Sequence, residues 1–291
     1  MSQVIDVDAF AAFEAAGYNR VGDVYHRRNG PLTARAVDPL LDAAAAGPGM
    51  RVLDVATGPG YAAGAAAARG ADVLGVDVAD DILTLARELW PDAAFQIADA
   101  HDLAFDDDRF DAVVANFLVP HLADHELAIG ELVRVLAPGG RLALTTWDQP
   151  ERVGLLWPVI AAVRTVGAQP SDDLPPGPDF FGYSDEQTFA ALLEGAGLTD
   201  VTIQTLAFTH RVPSADALWQ GIVEGSVRAA ALVGAQPPVV QRQIRAAFND
   251  ITRDYRSGDD LELPISMKIG SGRKPPPDHV GQRHDGEGAA T

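Results

Sequence analysis

The stretch Val52-Leu53-Asp54-Val55-Ala56-Thr57-Gly58-Pro59-Gly60 constrains the fold more than any other part of this chain of 291 residues. A short apolar run carries an acid, Asp54, near its end and then breaks into a turn of small residues holding Gly58 and Gly60. Backbone amides lie bare in such a turn because no side chain covers them. The alanine-rich run Tyr61 to Arg69 follows at once and reads as a helix whose N-terminus points back at the turn. Strand, tight loop and helix in this order make a corner suited to a nucleotide-like ligand.

Strand and helix signals alternate from here on. Strands are expected at Arg51 to Val55, Asp72 to Asp77, Ala94 to Ala98, Asp111 to Phe117 and Arg141 to Trp147. The helices between them are Tyr61 to Arg69, Asp80 to Trp90 and His121 to Leu136, the last closed by Ala137-Pro138-Gly139-Gly140. Such alternation implies parallel strands with right-handed crossovers, hence a doubly wound α/β sheet with its ligand at the carboxyl ends of the strands.

The rest of the chain is less regular. Prolines 150, 158, 170, 175, 176 and 178 interrupt residues 149–181, although Gly154 to Val166 suits a helix. Ser184 to Glu194 reads as a helix with Ser184 as N-cap and Gln187 completing a capping box. Val201 to Val212 and Leu261 to Ile269 read as strands, with two helical runs over Ser214 to Arg256. Before the sheet, Val7 to Ala16 and Pro31 to Ala46 read as helices, with Tyr18, Tyr25 and His26 on the segment between. The expected layout is a helical lid at 1–48, a main domain at 49–270 with insertions at about 149–183 and 212–260, and a tail at 271–291. That Gly-, Pro- and charge-rich tail, from Gly270 onward, is expected to stay unfolded.

Gly58-x-Gly60-x-x-Ala63 also fits a loose dinucleotide fingerprint. Asp54 inside the strand end argues against a nicotinamide. A short-chain reductase also needs a Tyr-x-x-x-Lys pair, and neither lysine, Lys268 or Lys274, follows a tyrosine at that spacing. Asp54-x-Ala56-x-Gly58-x-Gly60, with Asp77 ending the second strand, resembles the class I S-adenosylmethionine-dependent methyltransferases. The resemblance continues through Ala98-Asp99-Ala100 and Leu136-Ala137-Pro138-Gly139-Gly140 and covers residues 30–147 best. It implies a Rossmann-like sheet of seven strands, the last antiparallel, with helical lid insertions.

The resemblance assigns roles residue by residue. Asp77 would accept hydrogen bonds from a ribose diol, with Val78 beside it. Asp99 would accept from the adenine amino group and the Ala100 amide would donate to a ring nitrogen. Asp54 would order the loop of Ala56, Gly58 and Gly60 and meet the methionyl ammonium, directly or through water, and Asn116 would hold the same end through its side chain or backbone carbonyl. Ala56 stands where the family loop has its first glycine.

Methyl transfer asks the protein mainly to align the nucleophile and exclude water, with a base where the nucleophile carries a proton. His121, just past the fourth strand, is the first candidate for that base, with His26 and His210 behind it. His101 and His125 read as structural or exposed.

The acceptor is read by exclusion. The Asn-Pro-Pro-Tyr motif that serves planar amino nitrogens would fall at Asn116, where this chain has Asn-Phe-Leu-Val. The formal charge of −19, from 41 acids against 22 bases, repels nucleic acid. A small-molecule acceptor is left; the sequence resembles the ubiquinone and sterol type of small-molecule methyltransferase, which implies an apolar or aromatic acceptor, a secondary metabolite or quinone-like compound. Trp147, Trp157, Phe180, Phe181, Tyr183 and Trp219 are available to roof its pocket. A non-methylating cyclase or isomerase on the same fold is the alternative reading, because cofactor motifs report binding and not the reaction.

No cysteine or metal-ligand cluster is present, and no apolar run reaches the roughly 18 residues of a membrane span. Met1 to Phe10, with Asp6 and Asp8, lacks the pattern of a signal peptide, so a cytoplasmic location is expected. The oligomeric state is not legible.

Overall fold

In the computed structural model, residues 5–171 and 174–277 are described. Strand β1 (Arg51–Val55) lies at the centre of the sheet, with β2 (Asp72–Asp77) and β4 (Phe110–Ala115) parallel on either side. Beyond β2 lies β3 (Ala94–Ile97), and beyond β4 lies β5 (Leu136–Trp147), both parallel to their neighbours. β8 (Asp260–Arg273) enters antiparallel between β5 and β6 (Thr199–Val212), and the two-residue β7 (Arg256–Ser257) folds back onto β8. Seven long strands with an antiparallel last member are the expected Rossmann-like sheet.

Alternation along the strands sorts the core. Leu53, Val55, Val113 and Leu142 face one side, under α6 (His125–Val135) and α8 (Glu186–Gly195). Val52, Ala112, Val114 and Ala143 face the other, under α3 (Val37–Ala43) and α4 (Tyr61–Ala68). Leu40 and Leu41 of α3 are fully buried there, so this part of the N-terminal segment belongs to the sheet core and not to a lid. A third apolar cluster lies under helices α7 (Trp157–Val166), α9 (Ala215–Val223), α10 (Val227–Gly234) and α11 (Pro238–Thr252).

Several elements depart from the sequence reading, each for a local reason. α1 runs from Val7 to Arg28, twelve residues past Ala16. Gly17 reads as a break, but a β-carbon there would stand 2.2 Å from Val227, so the glycine makes room for α10 inside a continuous helix. Pro31 to Ala46 divides into α2 (Gly30–Thr33), a 3₁₀ turn (Ala34–Ala36) and α3. The helix expected from His121 starts at His125, capped by Asp124, whose carboxylate accepts from the Leu127 amide; His121 ends a 3₁₀ turn over Val119–His121.

The cap of α8 is Asp185, accepting from the Thr188 amide at 3.0 Å, and not Ser184, which is buried. The two helical runs expected over 214–256 are three, α9, α10 and α11. The tail is ordered further than expected: residues 270–273 complete β8, where Gly270 admits the Phe189 ring. Residues 278–291 of that expectation lie outside the described residues.

Candidate active site

The carboxyl ends of β1, β2 and β4 open into a cavity of about 510 Å³, covered by side chains of α1, α7 and α10. The floor is the turn after β1. Ala56, Gly58 and Gly60 all take positive φ, at 53°, 53° and 80°. Gly58 is open on the cavity side, where a β-carbon would meet only Ile82 Cδ1 at 3.9 Å. Gly60 faces backwards, and a β-carbon there would stand 2.8 Å from the Trp90 ring that packs behind the turn. Trp90 also donates its indole hydrogen to the Pro59 carbonyl at 3.0 Å.

Asp54 lies behind this turn, 1% exposed. Its place on β1 puts it on the face of Val52, under α4. From there Oδ2 accepts from the Ala63 amide at 2.9 Å and from Thr57 Oγ1 at 2.6 Å. It therefore supplies the N-terminal cap that Gly60, lacking a side chain, cannot give to α4. Burial outweighs these two bonds and pushes its carboxyl up to about 7. Neither Asp54 nor Gly60 lines the cavity, so both act on a ligand only through the loop they shape.

Asp77, ending β2, does line it. Oδ2 accepts from the Gly58 amide at 2.9 Å and Oδ1 from the Ala79 amide at 3.0 Å, which joins the turn after β1 to the turn after β2. Burial raises its pKa against these bonds. Val78 and Ala100 add apolar wall. Asp99 Oδ1 accepts from both the amide and the ring Nδ1 of His101, at 2.9 and 2.8 Å, and the imidazole holds the carboxyl below its ordinary range. His101, read from the sequence as structural or exposed, is the orienting partner of Asp99 and itself lines the cavity.

Asn116 follows β4 at the cavity edge. Its amide hydrogen goes to the Thr33 carbonyl at 3.2 Å and its oxygen receives Thr145 Oγ1 at 2.8 Å. The side chain is thus committed to tying α2 to the sheet, and of the two groups expected to hold a ligand, side chain and backbone carbonyl, the carbonyl is the one these bonds do not use.

Of the three candidate bases, only His121 lines the cavity. His26 stacks on Tyr61 outside it, with Nδ1 2.7 Å from the tyrosine hydroxyl. His210 sits on edge strand β6 opposite Leu263, where burial and Arg35 lower its pKa. Neither reaches the cavity: His26 lies on α1 off the face that carries Glu14, Tyr18 and Tyr25, and His210 lies on an edge strand.

His121 instead meets two side chains of α1 that the sequence reading passed over. Its Nδ1 lies 2.8 Å from Oε2 of the buried Glu14, and its Nε2 lies 3.1 Å from the hydroxyl of Tyr18. Tyr18 and Phe180 stand edge-on to the imidazole on either side. Glu14 and Tyr18 are four apart and Tyr25 seven further on, one face of a single helix. Ending α1 at Ala16 hid that face.

The remainder of the cavity is predominantly apolar, with Arg164 of α7 and Arg228 of α10 also in its lining. Val159, Ile160 and Val163 of α7, Leu232 and Val233 of α10, and Phe180 and Phe181 line it. Trp147 is in the wall; Trp219 instead packs on Phe248, and Tyr183 on His125 outside the site. Trp157 also falls outside the lining, with Arg164 over its ring. Among the described residues no cluster of metal-ligating side chains occurs, and no helix is long and apolar enough to cross a membrane.

A family profile described as a methyltransferase domain matches residues 53–144, the span from β1 to β5. The chain is 30% identical over 200 residues to a demethylmenaquinone methyltransferase of Streptomyces griseus, covering 66% of this chain and 86% of that one. The chain belongs to the class I S-adenosylmethionine-dependent methyltransferases. An uncharacterised protein of Mycobacterium tuberculosis is 38% identical over 143 residues, 47% of this chain and 51% of its own length. The chain spans about half the length of the curated relatives at the head of these matches. Among solved structures, the [4+2]-cyclase SpnF superposes with a TM-score of 0.52 at 20% identity, over 90% of this chain and 95% of its own, a likeness of fold. The family's cofactor is S-adenosylmethionine.

Proposed function

We propose that this protein transfers the methyl group of S-adenosylmethionine to a small apolar aromatic acceptor, of quinone or secondary-metabolite type. The observation that carries the reading is the division of one cavity into a polar half at the strand ends and a predominantly apolar half under α7 and α10, whose lining also holds Arg164 and Arg228. The demethylmenaquinone methyltransferase relative supports the aromatic, quinone-like acceptor.

The polar half fits the cofactor. Each Asp77 oxygen already holds a backbone amide yet keeps a lone pair for a ribose hydroxyl. Asp99 uses only Oδ1 on His101, which leaves Oδ2 for the adenine amino group. Ala100 and Val78 would flank the base, and the open Gly58 lets the ligand approach the backbone. Asp54 and Gly60 serve by holding the turn, and Asn116 by holding its own loop in place. When bound, S-adenosylmethionine supplies a methyl group already activated on a sulfonium. The protein's part is then to align the acceptor, exclude water and take up a proton at His121.

Incubation of the purified protein with methyl-labelled S-adenosylmethionine and a prenylated 1,4-dihydroxynaphthalene tests the reading. Label in the organic extract is expected. Binding of S-adenosylhomocysteine without label transfer to this or other aromatic acceptors would overturn it, and a product of unchanged mass would favour a cyclase or isomerase.

A further inference from the structure

The Glu14–His121–Tyr18 chain lies between the two halves of the cavity, and its hydrogens can be counted. His121 Nδ1 faces a carboxylate, so that nitrogen carries the ring hydrogen and donates it to Glu14 Oε2. When the ring carries only that hydrogen, Nε2 is an acceptor and Tyr18 spends its hydroxyl hydrogen on it. Nothing in the chain has a hydrogen left to offer. What remains is the free lone pair of Tyr18 Oη, together with Glu14 Oε1. That oxygen belongs to a side chain 4% exposed that lines the cavity, and it has no hydrogen-bond partner. A buried carboxylate oxygen without a donor is costly to leave unpaired. A ligand complementary to this wall must therefore bring hydrogens to it.

Although the His121 ring lines the cavity, both of its nitrogens are already engaged. Glu14 holds one nitrogen and Tyr18 stands on the other, the partners being 107 and 103 residues away in sequence. Phe180 closes the ring edge-on at 5.6 Å.

We propose that Tyr18 receives the hydroxyl hydrogen of an aromatic acceptor and passes its own to His121, while Glu14 holds the imidazolium that results. The acceptor class rests on the reading in the preceding subsection; the direction of the relay does not. As the acceptor's oxygen, or a ring carbon conjugated with it, bonds to the methyl group, the methyl–sulfur bond of the donor breaks with its electron pair left on sulfur, and the acceptor's O–H bond breaks with its pair kept by the acceptor. The hydrogen goes to Tyr18 Oη, and the hydrogen of Tyr18 goes to His121 Nε2. The positive charge carried by the methyl donor ends on His121, beside the Glu14 carboxylate, so charge balances. Tyr18 is the catalytic residue that touches the acceptor. Glu14 is a positioning residue acting through His121, and its Oε1 is open to a second acceptor hydroxyl.

Two aromatic probes separate the relay from the acceptor assignment. Calorimetry on the full chain loaded with S-adenosylhomocysteine would compare 1-naphthol with its methyl ether, 1-methoxynaphthalene. Losing one hydrogen bond to this wall is expected to weaken binding about tenfold in the wild type. Tyr18→Phe and Glu14→Gln should each bring the two probes close to equal affinity while leaving S-adenosylhomocysteine affinity unchanged, which also shows that the variants fold. A wild type that binds both probes equally, or a Tyr18→Phe variant that still prefers the naphthol, overturns the relay. Failure to methylate the dihydroxynaphthalene, with the naphthol preference intact, overturns only the acceptor assignment.

Discussion

The two halves of the cavity are built by different means. The cofactor half consists of backbone amides and short acids at adjacent strand ends, all between Asp54 and Asn116 and fixed by strand register. The acceptor half is assembled from side chains of α1, α7 and α10, which start at residues 7, 157 and 227. Strand register allows almost no freedom in where Asp77 or Gly58 stands, because a slip of one residue would turn every side chain of β2 to the other face. Helix packing tolerates changes in side-chain volume and angle far better. One half is thus suited to a constant ligand and the other to a variable one.

The largest expected effect breaks the cofactor half from behind. Asp54 is protonated up to about pH 7 in the folded protein, whereas in the unfolded chain it ionises near its ordinary value. A raised carboxyl pKa stabilises the fold below the unfolded value and loses that contribution as pH rises through the folded one. The stability of the wild type relative to Asp54→Asn should therefore fall by on the order of 4 kcal/mol between about pH 4 and pH 7 and level off above. Urea unfolding of both proteins across that range measures it. A constant difference would mean that the carboxyl is ionised throughout.

Next in size is a pair of substitutions, one in each half. Asp77→Ala removes the carboxylate that holds both the Gly58 and Ala79 amides, and should weaken S-adenosylhomocysteine binding by about 2 kcal/mol or more. Phe180→Ala removes a ring packed on His121 and Phe181, and should cost about 1–2 kcal/mol in affinity for 1-naphthol. Each is expected to leave the other ligand's affinity unchanged, by calorimetry. Cross-effects of equal size would show that the halves are not separately built.

The same contrast governs what the sequence discloses. The cofactor half is legible because its signals are local: an acid within a strand, glycines four and six residues on, an acid at the next strand end. Even there, the loop-ordering role of Asp54 is legible but its distance from the cavity is not, since sequence does not say that its strand face looks toward α4 and Ala63. The Asn116 side chain reads as free to hold a ligand because the Thr33 carbonyl is brought there only by the fold. The acceptor half is hidden because its contacts span a hundred residues or more, as between Tyr18 and His121. One signal was present: Phe10, Glu14, Val21 and Tyr25 repeat at helical spacing across Gly17. It was masked because a glycine admitting a neighbouring helix looks in sequence like a glycine ending one.

The smallest effect sharpens the comparison at the two turns that face each other across the site. Ala56 after β1 and Phe117 after β4 both hold positive φ without being glycine, at 53° and 62°. A β-carbon in that region costs roughly 1–2 kcal/mol, and a glycine there returns about 0.4–1 kcal/mol of it to the unfolded chain. Ala56→Gly should therefore stabilise the protein by about 0.5 kcal/mol, a rise in Tm of about 1–2 °C for a domain of this size. Phe117 admits no such gain, because its ring packs on Trp147 with centroids 4.2 Å apart in the wall of the acceptor half. There the strain is the condition for placing a large ring, whereas at Ala56 only a single partly buried methyl group packs against the core. A thermal unfolding series over wild type, Ala56→Gly and Phe117→Gly should thus move in opposite directions from one kind of backbone strain. A fall in Tm for Ala56→Gly would mean that its methyl group is a packing element of the turn, and that the cofactor half, too, depends on side-chain volume.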